Sequence, residues 1–159
     1  MVEHLHEFDD ALQTSFVFKL SKSPVLTYAT QGVTLPGISV NEIQVNYQNY
    51  NGYLPSNTAQ YDPLNLTFLV DENFKNYDYL YNQLILYTQK PKSVNIDEVF
   101  DELHVFRLNS AKKPIADIVF HKAFCTNLSS IDYSSAASTD EPLLCSATFR
   151  YQTFEIEYF

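Results

Sequence analysis

The sequence predicts a mainly β domain of the α+β kind: an antiparallel β-barrel or sandwich with one flanking α-helix. Three observations carry that class. Apolar and polar residues alternate in several short runs, as at Phe16, Phe18 and Leu20 or at Leu64, Leu66, Phe68 and Val70, which is the period of strands with one buried face. Residues 72–89 sustain apolar positions at three- and four-residue spacing, so one flanking helix is expected there. Twelve Phe and twelve Tyr against only 3 Gly supply side chains that suit strands and exclude fibrous repeats. The 159 residues fit a single domain, long enough to bury one substantial core.

Taken in order, residues 1–14 read as an N-terminal arm or a short amphipathic helix, with Leu5, Phe8 and Leu12 as an apolar face of the kind that docks on a neighbour. Phe16 to Leu20 form the first strand, Ser21-Lys22-Ser23-Pro24 turn it, and Leu26 to Gln31 are expected to return as the second. Gly32 and Pro36-Gly37 punctuate the chain before Ile43, Val45 and Tyr47 alternate again. Residues 48–62 hold many turn formers, with a tight-turn signal at Asn51-Gly52, yet also carry Tyr50, Tyr53, Leu54 and Tyr61. A long loop that exposes aromatic rings is costly unless something covers it, so these four are expected either at a subunit interface or packed on one another in a surface loop.

The strand from Leu64 to Val70 runs into Asp71, expected as the helix N-cap because its carboxylate can accept from free N–H groups of the next turn. Glu72 adds a second negative charge at the positive end of the helix dipole. Phe74, Tyr77, Leu80, Leu84 and Thr88 then share one face until Lys90-Pro91 stops the helix. An acidic connection to Glu102, with room for a turn of helix, leads to strands at Leu103 to Leu108 and Ile115 to Phe120, joined through Asn109 to Pro114. Phe124 to Tyr133 continue the sheet, and Ser134 to Pro142 form a small, polar loop. In the last segment Ala147, Phe149 and Tyr151 share one parity, whereas Phe154, Ile156 and Tyr158 share the other. That phase change predicts a bend near Gln152-Thr153, where a strand turns a barrel corner or passes between sheets.

Charge and motifs narrow the function. A formal net charge of −9 argues against direct nucleic-acid binding, which draws its affinity from Lys and Arg neutralising phosphate. No run of about eighteen apolar residues suggests a membrane span, and the acidic Met1 to Glu7 does not read as a signal peptide. Cys125 and Cys145, without a C-x-x-C pattern, read as buried thiols of a protein kept in a reducing cytoplasm. No nucleophile elbow, phosphate-binding glycine loop or H-E-x-x-H occurs. His4 and His6 lack a third ligand, while His104 and His121 fall in strands. The expectation is a protein that is no enzyme and takes no cofactor or metal.

The segment Ala29-Thr-Gln-Gly-Val-Thr-Leu-Pro-Gly-Ile-Ser39, the strand Leu66-Thr-Phe-Leu-Val-Asp71 with its Asn- and Tyr-rich helix, and the aromatic close Ala147-Thr-Phe-Arg-Tyr-Gln-Thr-Phe-Glu-Ile156 follow one another in a telling order. That order, from about Phe16 to the end, resembles the tail tube proteins of contractile-tailed bacteriophages. Helices of that family often carry a Trp near the position of Gln83; this chain has no Trp. The resemblance implies a structural virion protein of the phage tail, held in the host cytoplasm before assembly. It implies hexameric rings stacked into a tube, with sheath and baseplate proteins as partners and DNA passing through the lumen without specific binding. A tube-like baseplate adaptor or a tail terminator of the same fold is the alternative it leaves open. A carbohydrate-binding β-sandwich, with Tyr and Asn on loops as a sugar platform, is a reading from another class.

Overall fold

A computed structural model of the chain describes residues 11–27, 29–89, 96–136 and 140–159. Leu5 and Phe8 of the expected arm lie outside them. Among the described residues nine strands form: β1 (Phe16–Leu20), β2 (Thr30–Thr34), β3 (Ile38–Asn46), β4 (Asn51–Tyr61), β5 (Leu64–Leu69), β6 (Asp101–Leu108), β7 (Pro114–Leu128), β8 (Leu144–Arg150) and β9 (Thr153–Tyr158). Two helices accompany them, α1 (Lys75–Gln89) and the single turn α2 (Ile96–Val99).

Seven strands make one antiparallel sheet in the order β1-β6-β7-β8-β5-β2, with β9 also paired to β7. The 15-residue β7 belongs to both halves of this sheet. Its residues Ala116 to His121 pair with β9, and Phe124 to Leu128 pair with β8. Lys122, at φ 52, sits at the corner between them in the left-handed region that side chains rarely adopt. The chain meets the same corner a second time between β8 and β9, at Tyr151 and Gln152. The bend expected near Gln152-Thr153 is therefore where the last segment leaves one half of the sheet for the other, and the parity change keeps apolar residues inward on both sides of it.

The core fills the space between the halves. Phe18, Leu103, Phe120 and Val105 come from the β1-β6-β7-β9 half, and Leu64, Leu66, Phe68, Ala147 and Phe149 come from the other; all are buried. The rings of Phe18 and Phe149 meet across it at 6.5 Å. Leu80 closes the side covered by α1, and Tyr87 of that helix meets Phe124 edge-on at 6.4 Å. Each such buried Phe or Leu contributes roughly 1.5–3 kcal/mol relative to exposure. Cys125 and Cys145 are buried free thiols, as expected from the absence of a C-x-x-C pattern.

Four sequence expectations change. The second strand starts at Thr30, because Pro24–Leu26 form a short 3-10 turn held by the Thr30 hydroxyl donating to the Leu26 carbonyl at 2.7 Å. Asp71 is not the N-cap, and the helix does not begin at residue 72. The Asp71 carbonyl instead accepts from the Phe74 N–H at 2.9 Å, and Phe74 at φ 58 interrupts the helical path, so α1 starts at Lys75. The junction is fixed by Asn76, whose Oδ1 accepts from the N–H groups of Asp71 and Tyr77 while its Nδ2 donates to the Leu69 carbonyl at 2.7 Å. Residues 48–62 are not a loop: 51–61 are β4, paired with β3. The tight turn falls at Gln48-Asn49, closed by the Tyr47 N–H donating to the Tyr50 carbonyl at 2.8 Å, and Asn51-Gly52 already lie in the strand. The sheet segment after Phe124 ends at Leu128 and does not reach Tyr133.

Candidate assembly surfaces

The β3-β4 hairpin is a separate two-stranded sheet. Two strands alone are at best marginally stable in water, so a hairpin of this length needs a surface to lie on. In its outer half the register runs without a break from Glu42↔Pro55 to Asn46↔Asn51. Residues directly opposite in an antiparallel pair share a face, so Ile43, Val45 and Leu54 lie together, and the Tyr47 and Tyr50 rings, stacked at 4.7 Å, extend that face to the tip. Glu42, Gln44, Asn46, Asn51 and Tyr53 occupy the other. Gly52 belongs to the apolar face for a steric reason: a Cβ there would come within 2.7 Å of the Tyr47 ring.

This places the expected interface residues individually. Tyr50, Tyr53 and Leu54 are exposed by 65%, 61% and 52%, with Tyr53 turned to the opposite face from the other two. Tyr61 is half-buried at the hairpin base, edge-on to Tyr151 at 5.9 Å and to Phe154 at 5.8 Å. Leu12 is exposed. Ile43, Val45 and Tyr47, which complete the apolar face, were missing from the interface expectation. Their alternation was visible, but without β4 as partner nothing in it told which face would be left bare.

The base of the hairpin is pinned. The Asp62 N–H donates to the Gly37 carbonyl at 3.1 Å, and the Tyr151 hydroxyl donates to the Asp62 carbonyl at 2.8 Å. Burial, with the Asp62 charge nearby, pushes the Tyr151 phenol up to about 12, so it remains a donor at neutral pH. A Cβ at Gly37 would approach the Asp62 carboxylate to 2.9 Å, so a side chain there would have to displace it.

The second surface is the β1-β6-β7-β9 half. Its inward face is core, while the other face carries Lys19, Glu102, His104, Asp117, His121, Glu155 and Glu157, as the cross-strand register dictates. The His104 Nδ1 lies 2.9 Å from Asp117 Oδ2, and its ring stacks on Phe106. Asp117 Oδ1 is buried without a partner among the described residues. His121 stands between Glu102 at 3.7 Å and Glu155 at 3.8 Å. This half ends in two open edges, β1 and β9, whose outward backbone groups have no strand to pair with among the described residues. Among the described residues no group of three or more His, Cys, Asp or Glu is arranged to hold a metal ion.

With this geometry in hand, comparison with known proteins is informative. Over 160 aligned residues the chain is 26% identical to the tail tube terminator protein of Enterobacteria phage T4, covering 94% of this chain and 90% of that one. Two solved structures share the fold at 13–14% identity. A chain of the PVC sheath-tube complex of an extracellular contractile injection system, in its extended state, gives a TM-score of 0.71, covering 97% of this chain and 95% of that one. The tube terminating cap of the anti-feeding prophage gives 0.69, covering 98% and 99%. The sequence profile of the phage tail tube protein matches residues 8–157. The mainly β fold with one main helix, the open-edged sheet and the profile that spans nearly all of the sequence agree, and the chain belongs to the phage tail tube protein family.

Proposed function

We propose that this protein ends the tail tube: a ring of copies that caps the tube of a contractile phage tail and leaves a passage for DNA. The observation that carries the reading is the 26% identity, over 94% of the chain, to a protein that terminates a tail tube. It moves the terminator, second in order on sequence grounds, ahead of the repeated tube subunit.

The open edges support a ring. In β1-β6-β7-β9 every neighbouring pair is antiparallel, so β1 and β9 run in opposite directions. A rotation about an axis roughly along the strands keeps strand direction, so β9 of one copy meets β1 of the next antiparallel, and repetition closes an all-antiparallel barrel. The face that carries Lys19, Glu102, His121, Glu155 and Glu157 would line the passage. Six copies would make the ring, the tube and sheath would be its neighbours, and DNA would traverse it without specific binding. The protein would reach the virion tail from the host cytoplasm.

Negative-stain electron microscopy of the purified protein, alone and added to growing tubes of the main tube subunit, tests this. The expected result is single six-membered rings that do not stack on one another, and tubes that stop lengthening with one extra ring at an end. Open-ended stacking of the protein alone would reassign it to the repeated tube subunit.

A further inference from the structure

Resting on the ring reading, the geometry points to a specific seam between neighbouring copies: Lys19 of one copy pairs with Glu155 and Glu157 of the next, while Ile156 and Tyr158 of that next copy fill the groove beside β1. Three observations lead there. Lys19 is exposed on the open edge strand β1 and makes no ion pair among the described residues; its cross-strand neighbour in its own chain is His104. Glu155 and Glu157 are exposed on the open edge strand β9, on the same face of the sheet as Lys19. Glu157 has no ion pair among the described residues, and directly across from it lies another acid, Asp117, a like-charge juxtaposition that disfavours the isolated copy. The two edges are thus complementary in sign, and among the described residues Lys19 and Glu157 have no ion-pair partner while Glu155 meets only the His121 ring at 3.8 Å.

The inward face of the same strands repeats the logic in apolar terms. Ile156 and Tyr158 belong to the parity that faces the core, yet they are 48% and 78% exposed because the core stops short of the end of β9. Phe159 beyond them is 76% exposed. At the opposite edge a groove of about 590 Å³ runs alongside β1, lined by Phe16, Val17 and the buried Phe18 on one side and Thr27, Thr30 and Gln31 on the other. It is the gap between β1 and β2, the two ends of the seven-stranded sheet. A strand laid antiparallel on β1 turns one face toward this groove and the other toward Lys19. Because the faces of β9 alternate residue by residue, seating Ile156 and Tyr158 in the groove places Glu155 and Glu157 beside Lys19 without any change of backbone.

Interface pairs of this kind set register and partner choice more than affinity. Lys19→Glu, and separately Glu155→Lys with Glu157→Lys, should raise the concentration at which rings half-dissociate by at least tenfold, read by analytical ultracentrifugation. Combining all three changes should restore most of the loss, because the charges are exchanged across the seam. Circular dichroism should show each variant folded, since the side chains are exposed. In wild-type rings a zero-length carbodiimide should join Lys19 to Glu155 or Glu157 between copies, identified by mass spectrometry. Wild-type rings that persist undiminished in Lys19→Glu and give no such cross-link would overturn the seam and leave the ring standing. A wild-type protein that stays monomeric at every concentration, alone and with tubes, would overturn the ring reading and the seam with it.

Discussion

Asn76 shows how much one polar side chain can hold. It is buried to 1% exposure, and its amide serves three backbone groups at the point where β5 hands over to α1. Asn76→Ala leaves the Asp71 and Tyr77 N–H groups and the Leu69 carbonyl without their partner, and each buried orphan costs about 1–3 kcal/mol. A loss of roughly 3 kcal/mol in urea unfolding is expected, against a loss near zero for Asp71→Ala, because Asp71 takes part there through its backbone. Cys125 makes a second prediction. Burial pushes its thiol from 9.0 up to about 11, so the unfolded chain ionises at lower pH than the folded one. Its contribution is full below about pH 9 and declines as the pH rises toward 11. Urea midpoints measured at pH 8 and pH 10 should therefore fall more steeply in the wild type than in Cys125→Ala, and Cys125 should resist alkylation until the protein unfolds.

At the scale of elements, the hairpin is the part most separable from the fold. Among the described residues its strands pair only with each other, and its two ends, Gly37 and Asp62, are hydrogen-bonded to one another. Replacing residues 39–60 with a short Gly-Ser linker should leave the main thermal transition within a few degrees of the wild type while abolishing ring formation or capping. A collapse of the transition would instead make the hairpin part of the folding unit. The elements also show what was legible beforehand. β5 could be read from Leu64, Leu66 and Phe68 because one face meets the core, and the bend at Gln152 from a parity change that burial enforces. The helix start was misplaced because Asp71 and Glu72 have cap chemistry, while the left-handed turn at Phe74 depends on Asn76 reaching back across five residues. β4 was missed because its sequence, with Pro55, Ser56 and Asn57, carries no sustained alternation; there the ladder slips, leaving Asn41 opposite Ser56 to Thr58. Tyr50 and Leu54, both of which the hairpin leaves exposed, were legible as costly to expose. The seam residues were not, because Lys19 and Glu157 become partners only when two open edges are known to belong to one sheet.

For the whole molecule, the formal charge of −9 works against the assembly that the edges favour. Copies brought together in a ring repel one another over their full width, whereas the Lys19 seam acts over a single side-chain contact. Salt separates the two. The screening length is about 30 Å at 0.01 M and about 8 Å at 0.15 M ionic strength, so long-range repulsion between copies is largely removed over that interval while a close pair is weakened much less. Apolar burial of Ile156 and Tyr158 is not screened at all. Ring formation at fixed protein concentration should consequently rise between about 0.01 and 0.15 M sodium chloride, then change little on going higher. In the variant carrying Glu155→Lys and Glu157→Lys the formal charge falls in magnitude to about −5, so the repulsive term shrinks. Its ring fraction should then depend less on low salt while remaining below the wild type at 0.15 M. A wild-type ring population that instead falls steadily from the lowest salt upward would mean that attraction between opposite charges, rather than the apolar side of the seam, supplies most of the affinity between copies.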